Sequence, residues 1–304
     1  MNVREEKSRH KIALGQDGNA LVNLIILNAV LFVLLYFVRV IYIVSDLSLD
    51  AYYKNIFHWF TLPAELTRLS SRPWTLLTFM FSDDNTLHLI GNLFWLGAFG
   101  YIMQDLTGNR KLIPIYIYGG LAGATFYLLA HVLVPHAGAL AVFAGANASI
   151  MAVAVATTTV SPDYRIFPLI NGGIPLWILT LIFVILDFAS IRTQDPSQYV
   201  AHLGGAVMGF FFVYQLRKGR DWSDWMNAFF DWVDDLFNPA KKNMQPAKDQ
   251  LFYKMPSSPP YKKTPNVTQK RIDEILDKIN QKGIHFLTDE EKDILKRAAS
   301  KDDL

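Results

Sequence analysis

The chain has 304 residues, of which 51% are hydrophobic and 13% aromatic, and its net charge of +2 is too small to indicate a nucleic-acid partner. It has no cysteine, which excludes disulfides, thiolate chemistry and cysteine-based metal sites. The apolar residues gather in runs of about 20, the length that crosses a hydrocarbon core about 30 Å thick. Composition therefore predicts an integral membrane protein.

Six apolar runs are candidate spans, and we expect each to be a helix because backbone groups inside lipid must bond internally. They are approximately Leu21–Val44, Thr86–Gln104, Leu112–Val134, Gly145–Val160, Ile174–Phe188 and Tyr199–Gln215. The first run is too long for a cleaved signal, so we interpret it as a retained span. The fourth and fifth runs are short, and the fourth is rich in alanine, which is typical of a helix enclosed by its neighbours. The predicted fold class is all-α, a bundle of six transmembrane helices.

Lysine and arginine near the span ends predict the orientation. They cluster before the first span, between the second and third, between the fourth and fifth, and after the sixth: Arg4, Lys7, Arg9, Lys11, Arg110, Lys111, Arg165, Arg217, Lys218 and Arg220. We therefore expect both termini in the cytoplasm, with a cytoplasmic N-terminal segment at 1–18 and the membrane domain at 19–216. As the host membrane we take the bacterial inner membrane, as the simpler default.

The chain after the sixth span has three predicted parts. Residues 221–237 carry aromatic and acidic residues at helical spacing, which predicts an amphipathic helix lying in the membrane surface. Residues 238–265 are rich in proline and lysine and indicate a linker. Residues 266–304 predict a small cytoplasmic helical hairpin, in which Gly283 ends one helix and Thr288 with Glu291 forms a capping box for the next.

The first loop, Ser45 to Asn85, is long and aromatic. Its aromatic residues suit the headgroup region, so the loop either embeds laterally in the outer leaflet or is an ordinary interfacial loop. Both interpretations stay open at this point.

Four polar residues inside the predicted spans are candidate site residues, because polar groups are costly in lipid. They are His88, Asn92, Asn147 and His202. The alternating topology places all four near the non-cytoplasmic face. Singly, each is more typical of an interhelical hydrogen bond. Together they suggest chemistry, with His202 as a base and His88, Asn92 and backbone N–H groups as oxyanion donors.

The order and spacing of these residues resemble the rhomboid intramembrane serine proteases over about Trp74 to Gly209. The matching motifs are Leu87-His88-x-x-x-Asn92, Gly145-Ala146 and Ala201-His202-x-x-Gly205-x-x-x-Gly209. The resemblance implies a Ser–His dyad without an acidic third member, and substrates that are themselves membrane spans. It also implies that His202 is the base and that His88 and Asn92 are oxyanion donors. Gly205 and Gly209 would let the sixth helix approach the fourth.

The chain departs from the family pattern at its chemical centre. The nucleophilic serine would stand at position 147, where this chain has Asn147, followed by Ala148 instead of glycine. A carboxamide nitrogen is conjugated with its carbonyl and is not a usable nucleophile, so we predict an inactive scaffold that binds transmembrane segments through a gate near the fifth span. The family's Trp-Arg pair is here Trp74-Thr75, with Arg72 on the other side of the tryptophan.

Several alternatives stay open. Asn147 is native, or it is an inactivating change in an otherwise active serine endopeptidase; Ser149 is a substitute nucleophile, although it faces roughly 200° away from position 147 on a helix. An alternative of another class is a small-solute or metal transporter using His88, His131 and His202. We expect no cofactor and no metal, and as partners only transmembrane segments and the lipid bilayer, not nucleic acid.

Overall fold

The computed structural model describes residues 18–133, 142–166, 172–190, 197–237 and 269–299, and this part of the chain is mostly helical. It divides into two compact units, residues 1–237 and 238–304. The helices of the first unit are α1 (Ala20–Val44), α2 (Leu49–Asn55), α3 (Leu66–Ser71), α4 (Thr75–Thr78), α5 (Thr86–Thr107), α6 (Leu112–Leu133), α7 (Asn147–Val160), α8 (Leu176–Ser190), α9 (Ser197–Arg217) and α10 (Asp224–Phe237). Those of the second are α11 (Gln269–Lys282) and α12 (Asp289–Ala299).

Four helices of the described chain are long and apolar enough to cross a membrane, namely α1, α5, α6 with the turn before it, and α9. α7 and α8 are shorter apolar helices, of 14 and 15 residues. Each predicted span thus coincides with a helix whose ends lie within a few residues of the predicted ones. The predicted N-terminal segment up to Asp17 and the linker 238–265 lie outside the described residues.

α7 lies at the centre of the first unit, as its alanine content predicts. Every residue from Asn147 to Ala154 is buried. Ala148, Ser149 and Ala152 lie close to glycines of α6 or α9. A Cβ added to Gly205 would lie 2.1 Å from the Ala148 carbonyl oxygen, and one added to Gly209 would lie 2.2 Å from that of Ala152. The predicted close approach of the sixth helix to the fourth is therefore confirmed, and it needs glycine because the colliding atoms belong to a helix backbone.

The first loop folds back on the helices through two short strands. β1 (Leu62–Pro63) pairs antiparallel with β2 (Val142–Phe143), which directly precedes the turn into α7. β3 (Arg165–Ile166) and β4 (Ile174–Pro175) form a second antiparallel pair between α7 and α8. The β1–β2 pairing ties the first loop to the segment that carries position 147.

Arg72 takes part in an aromatic stack on this loop. The rings of Trp59 and Trp74 stack with centroids 6.0 Å apart, and the Trp74 indole N–H donates to the Trp59 carbonyl at 3.0 Å. The Arg72 guanidinium lies 4.0 Å from the centre of the Trp59 ring, which is cation–π distance. Although Arg72 stands on the other side of Trp74 from the family arginine, the loop still joins an arginine to its tryptophans.

α10 is held against the N-terminal part of α6. Lys111 forms an ion pair with Asp221 and donates to the Ser223 hydroxyl at 2.8 Å, and the Tyr118 hydroxyl donates to the Trp222 carbonyl at 2.9 Å. Met226 is buried, whereas large apolar side chains of α10 are exposed: Trp225, Phe229, Trp232 and Leu236. A helix thus covers most of the predicted range 221–237, and its position in the membrane surface stays a prediction.

In the second unit, Ile275, Leu287 and Ile294 form a small buried cluster between α11 and α12. Gly283, with φ of +87°, follows the last residue of α11, as predicted. The predicted capping box is also confirmed. Glu291 Oε2 accepts from the Thr288 N–H at 2.8 Å, and Thr288 Oγ1 accepts from the Glu291 N–H at 3.4 Å.

Candidate functional site

Asn147, the first residue of α7, bridges two helices through the two ends of its carboxamide. Its Oδ1 accepts a hydrogen bond of 2.9 Å from Asn92 Nδ2 on α5, and its Nδ2 donates a bond of 2.7 Å to Asp187 Oδ1 on α8. All three side chains are buried. The carboxamide carries its acceptor and its donor on two separate atoms, so Asn147 makes both bonds at once, one from each end.

His202 contacts the same carboxylate as Asn147. Its Nδ1 lies 2.5 Å from Asp187 Oδ2, and its side chain is 3% exposed. The Phe188 ring packs edge-on against the imidazole, with centroids 6.3 Å apart. Asp187 therefore links Asn147 to the predicted base, because its Oδ1 faces Asn147 and its Oδ2 faces His202.

His88 and Asn92 lie on one face of α5, as their spacing predicts, and a second carboxylate faces them. His88 Nδ1 lies 2.6 Å from Asp83 Oδ2, and Asn92 Nδ2 lies 3.5 Å from the same oxygen. A Cβ built on Gly145 would lie 3.3 Å from both His88 Cε1 and Asn147 Oδ1. The four predicted site residues are thus brought together, in a chain of polar contacts from His88 through Asp83, Asn92, Asn147 and Asp187 to His202.

Local backbone features set these positions. Asn85 caps α5 by accepting from the N–H groups of Leu87 and His88, which starts the helix at Thr86, two residues before His88. Gly145 has φ of +112°, a conformation that other residues rarely adopt, and its N–H donates to the Phe79 carbonyl at 2.9 Å. Ala146 is the N-cap residue of α7, and its methyl side chain cannot accept a hydrogen bond, so it does not cap the first N–H groups of the helix.

Asp83 and Asp187 are the site residues that the sequence analysis missed. Asp187 is the one acidic residue within the predicted fifth span, and an acid inside a span is a signal of function in itself. Asp83 precedes the second span, where an acid before a helix is ordinary. Its link to His88 emerges only from the fold.

Ser149 faces away from this cluster. A Cβ added to Gly120 of α6 would lie 2.6 Å from Ser149 Oγ, so the hydroxyl is directed at the third span. Ser149 Oγ is buried, and it has no hydrogen-bond partner among the described residues. The side chain is thus packed against α6 and not against His202, which weighs against a substitute nucleophile.

The transporter alternative needs a different arrangement of histidines. His131 Nδ1 lies 3.1 Å from the carbonyl oxygen of Tyr127 on its own helix. Within the described ranges, no three His, Asp or Glu side chains are close enough to hold a metal ion.

Comparisons with known proteins agree with the motif resemblance. Residues 70–219 match the Rhomboid domain family, a range that contains every residue of the polar chain described above. Residues 261–301 match a family of unknown function, DUF6576. The second match covers the two helices of the C-terminal unit.

Curated relatives are similar over part of their length. The chain is 25% identical over 163 residues to RHOMBOID-like protein 12, mitochondrial, of Arabidopsis thaliana, which covers 50% of this chain and 48% of the relative. It is 29% identical over 141 residues to Presenilin-associated rhomboid-like protein A, mitochondrial, of Danio rerio, covering 44% and 35%. For Rhomboid protein 1, mitochondrial, of Saccharomyces cerevisiae, the identity is 27%, covering 45% and 40%. The chain spans about half or less of each. These names give no support to a bacterial inner membrane.

Proposed function

The chain belongs to the rhomboid family, and from that premise we propose that it binds transmembrane segments of other membrane proteins without cutting them. The observation that carries the proposal is Asn147 at the nucleophile position, with both ends of its carboxamide hydrogen-bonded within the protein. In this proposal α7 and α8 are the fourth and fifth of six spans, both termini are cytoplasmic and the second unit is a cytoplasmic hairpin.

Two features of Asn147 oppose peptide hydrolysis. It offers no hydroxyl for His202 to deprotonate, and removal of the nucleophile from a soluble serine protease costs on the order of a million-fold in turnover. In addition, its Oδ1 accepts the hydrogen bond of Asn92, a predicted oxyanion donor. A tetrahedral intermediate would have to displace that bond, so this donor is engaged before any substrate arrives.

The side of the bundle formed by α8 supports lateral entry of a client helix. Only Leu176, Phe183 and Asp187 of its described side chains are buried. Large apolar side chains on α8 are exposed: Trp177, Leu181, Ile182, Ile185 and Leu186. A helix with so little buried surface costs little to displace, and its displacement would open a path from lipid to Asn147 and His202.

Site-specific crosslinking tests client binding. We place a photoreactive amino acid at Leu181 on the exposed face of α8, and at Val33 on α1 as a lipid-facing control. Purified protein in bilayers is mixed with a single-span rhomboid-type substrate. We expect saturable crosslinks from Leu181, few from Val33, and intact substrate in both samples. Equal, non-saturable crosslinking at the two positions would contradict client binding, and appearance of cleaved substrate would contradict inactivity.

A further inference from the structure

We infer that Asp187 is a positioning residue for His202, so that this chain holds the acid and base of a Ser–His–Asp arrangement and lacks only its hydroxyl. The inference rests on the proposed function, in which the site is a hydrolytic site without a nucleophile. It adds an acidic member that the motif resemblance, with its dyad, does not imply.

The carboxylate is built into the site. Asp187 is 6% exposed, and its two oxygens face different partners, Oδ2 the imidazole at 2.5 Å and Oδ1 the Asn147 amide at 2.7 Å. A carboxylate accepts hydrogen bonds, so the Nδ1 nitrogen carries the proton and Nε2 is the basic nitrogen. This is the tautomer that lets a histidine take a proton from a hydroxyl, and an acid on the opposite nitrogen maintains it.

The location of Asp187 makes the arrangement specific to the fold. The residue lies on α8, whereas Asn147 and His202 lie on α7 and α9. Its neighbour Phe188 and the residue one turn earlier, Phe183, pack against His202 and against Trp95 and Phe99 respectively. The aromatic contacts therefore fix α8 at the height where the carboxylate meets the imidazole.

With serine at position 147, the reaction would balance with water as the only reactant besides the substrate. The serine hydroxyl gives its proton to His202 Nε2 as its oxygen bonds to the substrate carbonyl carbon. The C–N bond then breaks as the imidazolium returns the proton to the leaving amine. Water, deprotonated by the same nitrogen, then bonds to the acyl carbon, and the ester C–O bond breaks as the imidazolium returns the proton to the serine oxygen. Asp187 touches no substrate and acts only by orienting and stabilising the imidazole.

Imidazole NMR of the unaltered protein gives the first test, because it requires no activity. Histidine is labelled with ¹⁵N, and His202 is assigned by the signal lost in His202→Gln. We expect the Nδ1–H tautomer with a strongly deshielded proton in the parent, and loss of that deshielding in Asp187→Asn, which is isosteric but uncharged. An Nε2–H tautomer in the parent, or an unchanged proton in Asp187→Asn, would overturn the inference whether or not any variant cleaves substrate.

Kinetics on the Asn147→Ser background give the second test. Asp187→Asn in that background should lower kcat by about 10³- to 10⁴-fold with little change in KM, because the corresponding change in a soluble serine protease costs about 10⁴. The matched control is Leu176→Ala, which removes a buried side chain at the start of α8 without touching His202 or the aromatic residues that set the height of Asp187. Equal losses in the two double variants would make the role merely structural and overturn the inference. Cleavage by the unaltered parent would instead contradict the proposed function and leave the NMR test intact.

Discussion

α7 and α8 are both short apolar helices that contribute to the site, but they are held in different ways. α7 is buried over most of its length, and glycines of α6 and α9 let those helices approach its backbone. α8 buries three of its described side chains, and one of these is the Asp187 carboxylate. α7 is held by close packing along its backbone, whereas α8 is held by side-chain contacts, which include the aromatic rings of Phe183 and Phe188 and the Asp187 carboxylate.

In the proposed function, this difference in packing between α7 and α8 would keep the site rigid and still let a client helix enter. Without a hydrophobic driving force between helices in lipid, close backbone packing is a strong source of association, and α7 uses it fully. α8 would lose fewer packing contacts than α7 if it separated from the other helices. In the proposed function, α7, which carries position 147, stays in place while α8 moves aside to admit a client helix.

Gly205→Ala tests the rigid half and should have the largest effect on folding. The added methyl group would collide with the Ala148 carbonyl, a backbone atom that cannot rotate away. Overpacking typically costs about 1–3 kcal/mol, and we expect the upper end, measured as the free energy of unfolding in a detergent titration. Gly97→Ala is the matched control because its Cβ would meet nothing within 4 Å. Equal stability of the two variants would contradict the packing assigned to α7.

Asp187→Ala tests the movable half. It leaves the donors of Asn147 and His202 without their acceptor, and each unsatisfied buried group costs about 1–3 kcal/mol. We expect amide hydrogen exchange to accelerate along α8 and to stay slow in α7. Ile185→Ala, which trims an exposed side chain of the same helix, should leave both rates unchanged. Uniform acceleration in α7 and α8 would mean that the two helices open as one unit.

The four motif residues could be grouped from sequence because their spacing and the alternating topology put them at one depth. The two carboxylates could not. Asp187 is 40 residues from Asn147 and 15 from His202, so its role depends on the rotation and height of α8. Those are set by aromatic packing of Phe183 and Phe188, which no motif encodes. Similarly, Arg72 precedes Trp74 in the sequence, whereas the family pattern has an arginine directly after the tryptophan. The contact of Arg72 with Trp59 is visible only in the fold.

Arg72→Met probes the first loop, which contacts α7 through the strand pair and not through helix packing. Loss of the contact with Trp59 should weaken the loop by about 0.5–1 kcal/mol, the usual strength of an exposed cation–π pair. We expect faster proteolytic nicking between α2 and α4, with the unfolding of the helices unchanged. Arg68→Met is the control because Arg68 is exposed and forms an ion pair with Glu65, the residue before α3. Equal rates of proteolysis in the two variants would contradict a stabilising role of the Arg72–Trp59 contact in the loop.

The smallest effect concerns α10 and pH. Burial alone would raise the pKa of the Asp221 carboxyl, but hydrogen bonds from Lys111 and Ser223 outweigh it and hold the pKa below its ordinary value. Because folding lowers this pKa, the Asp221 carboxylate contributes its full stabilisation above the ordinary carboxyl pKa of about 3.9. That stabilisation is lost as the pH falls through the lowered pKa. Asp221→Asn should therefore loosen α10 by at most about 1 kcal/mol at pH 7, measured by hydrogen exchange. The difference from the parent should vanish in strong acid; a difference that grows there would contradict this assignment.

In the proposed function, the side chain at position 147 determines whether the protein cleaves transmembrane segments or only binds them. The direct measurement is turnover of a single-span rhomboid-type substrate in bilayers by the parent and by Asn147→Ser, prepared in parallel. We expect no product from the parent and measurable product from the serine variant, with product lost again when His202 is replaced by glutamine. Cleavage by the parent that is lost on the same His202 replacement would contradict the account.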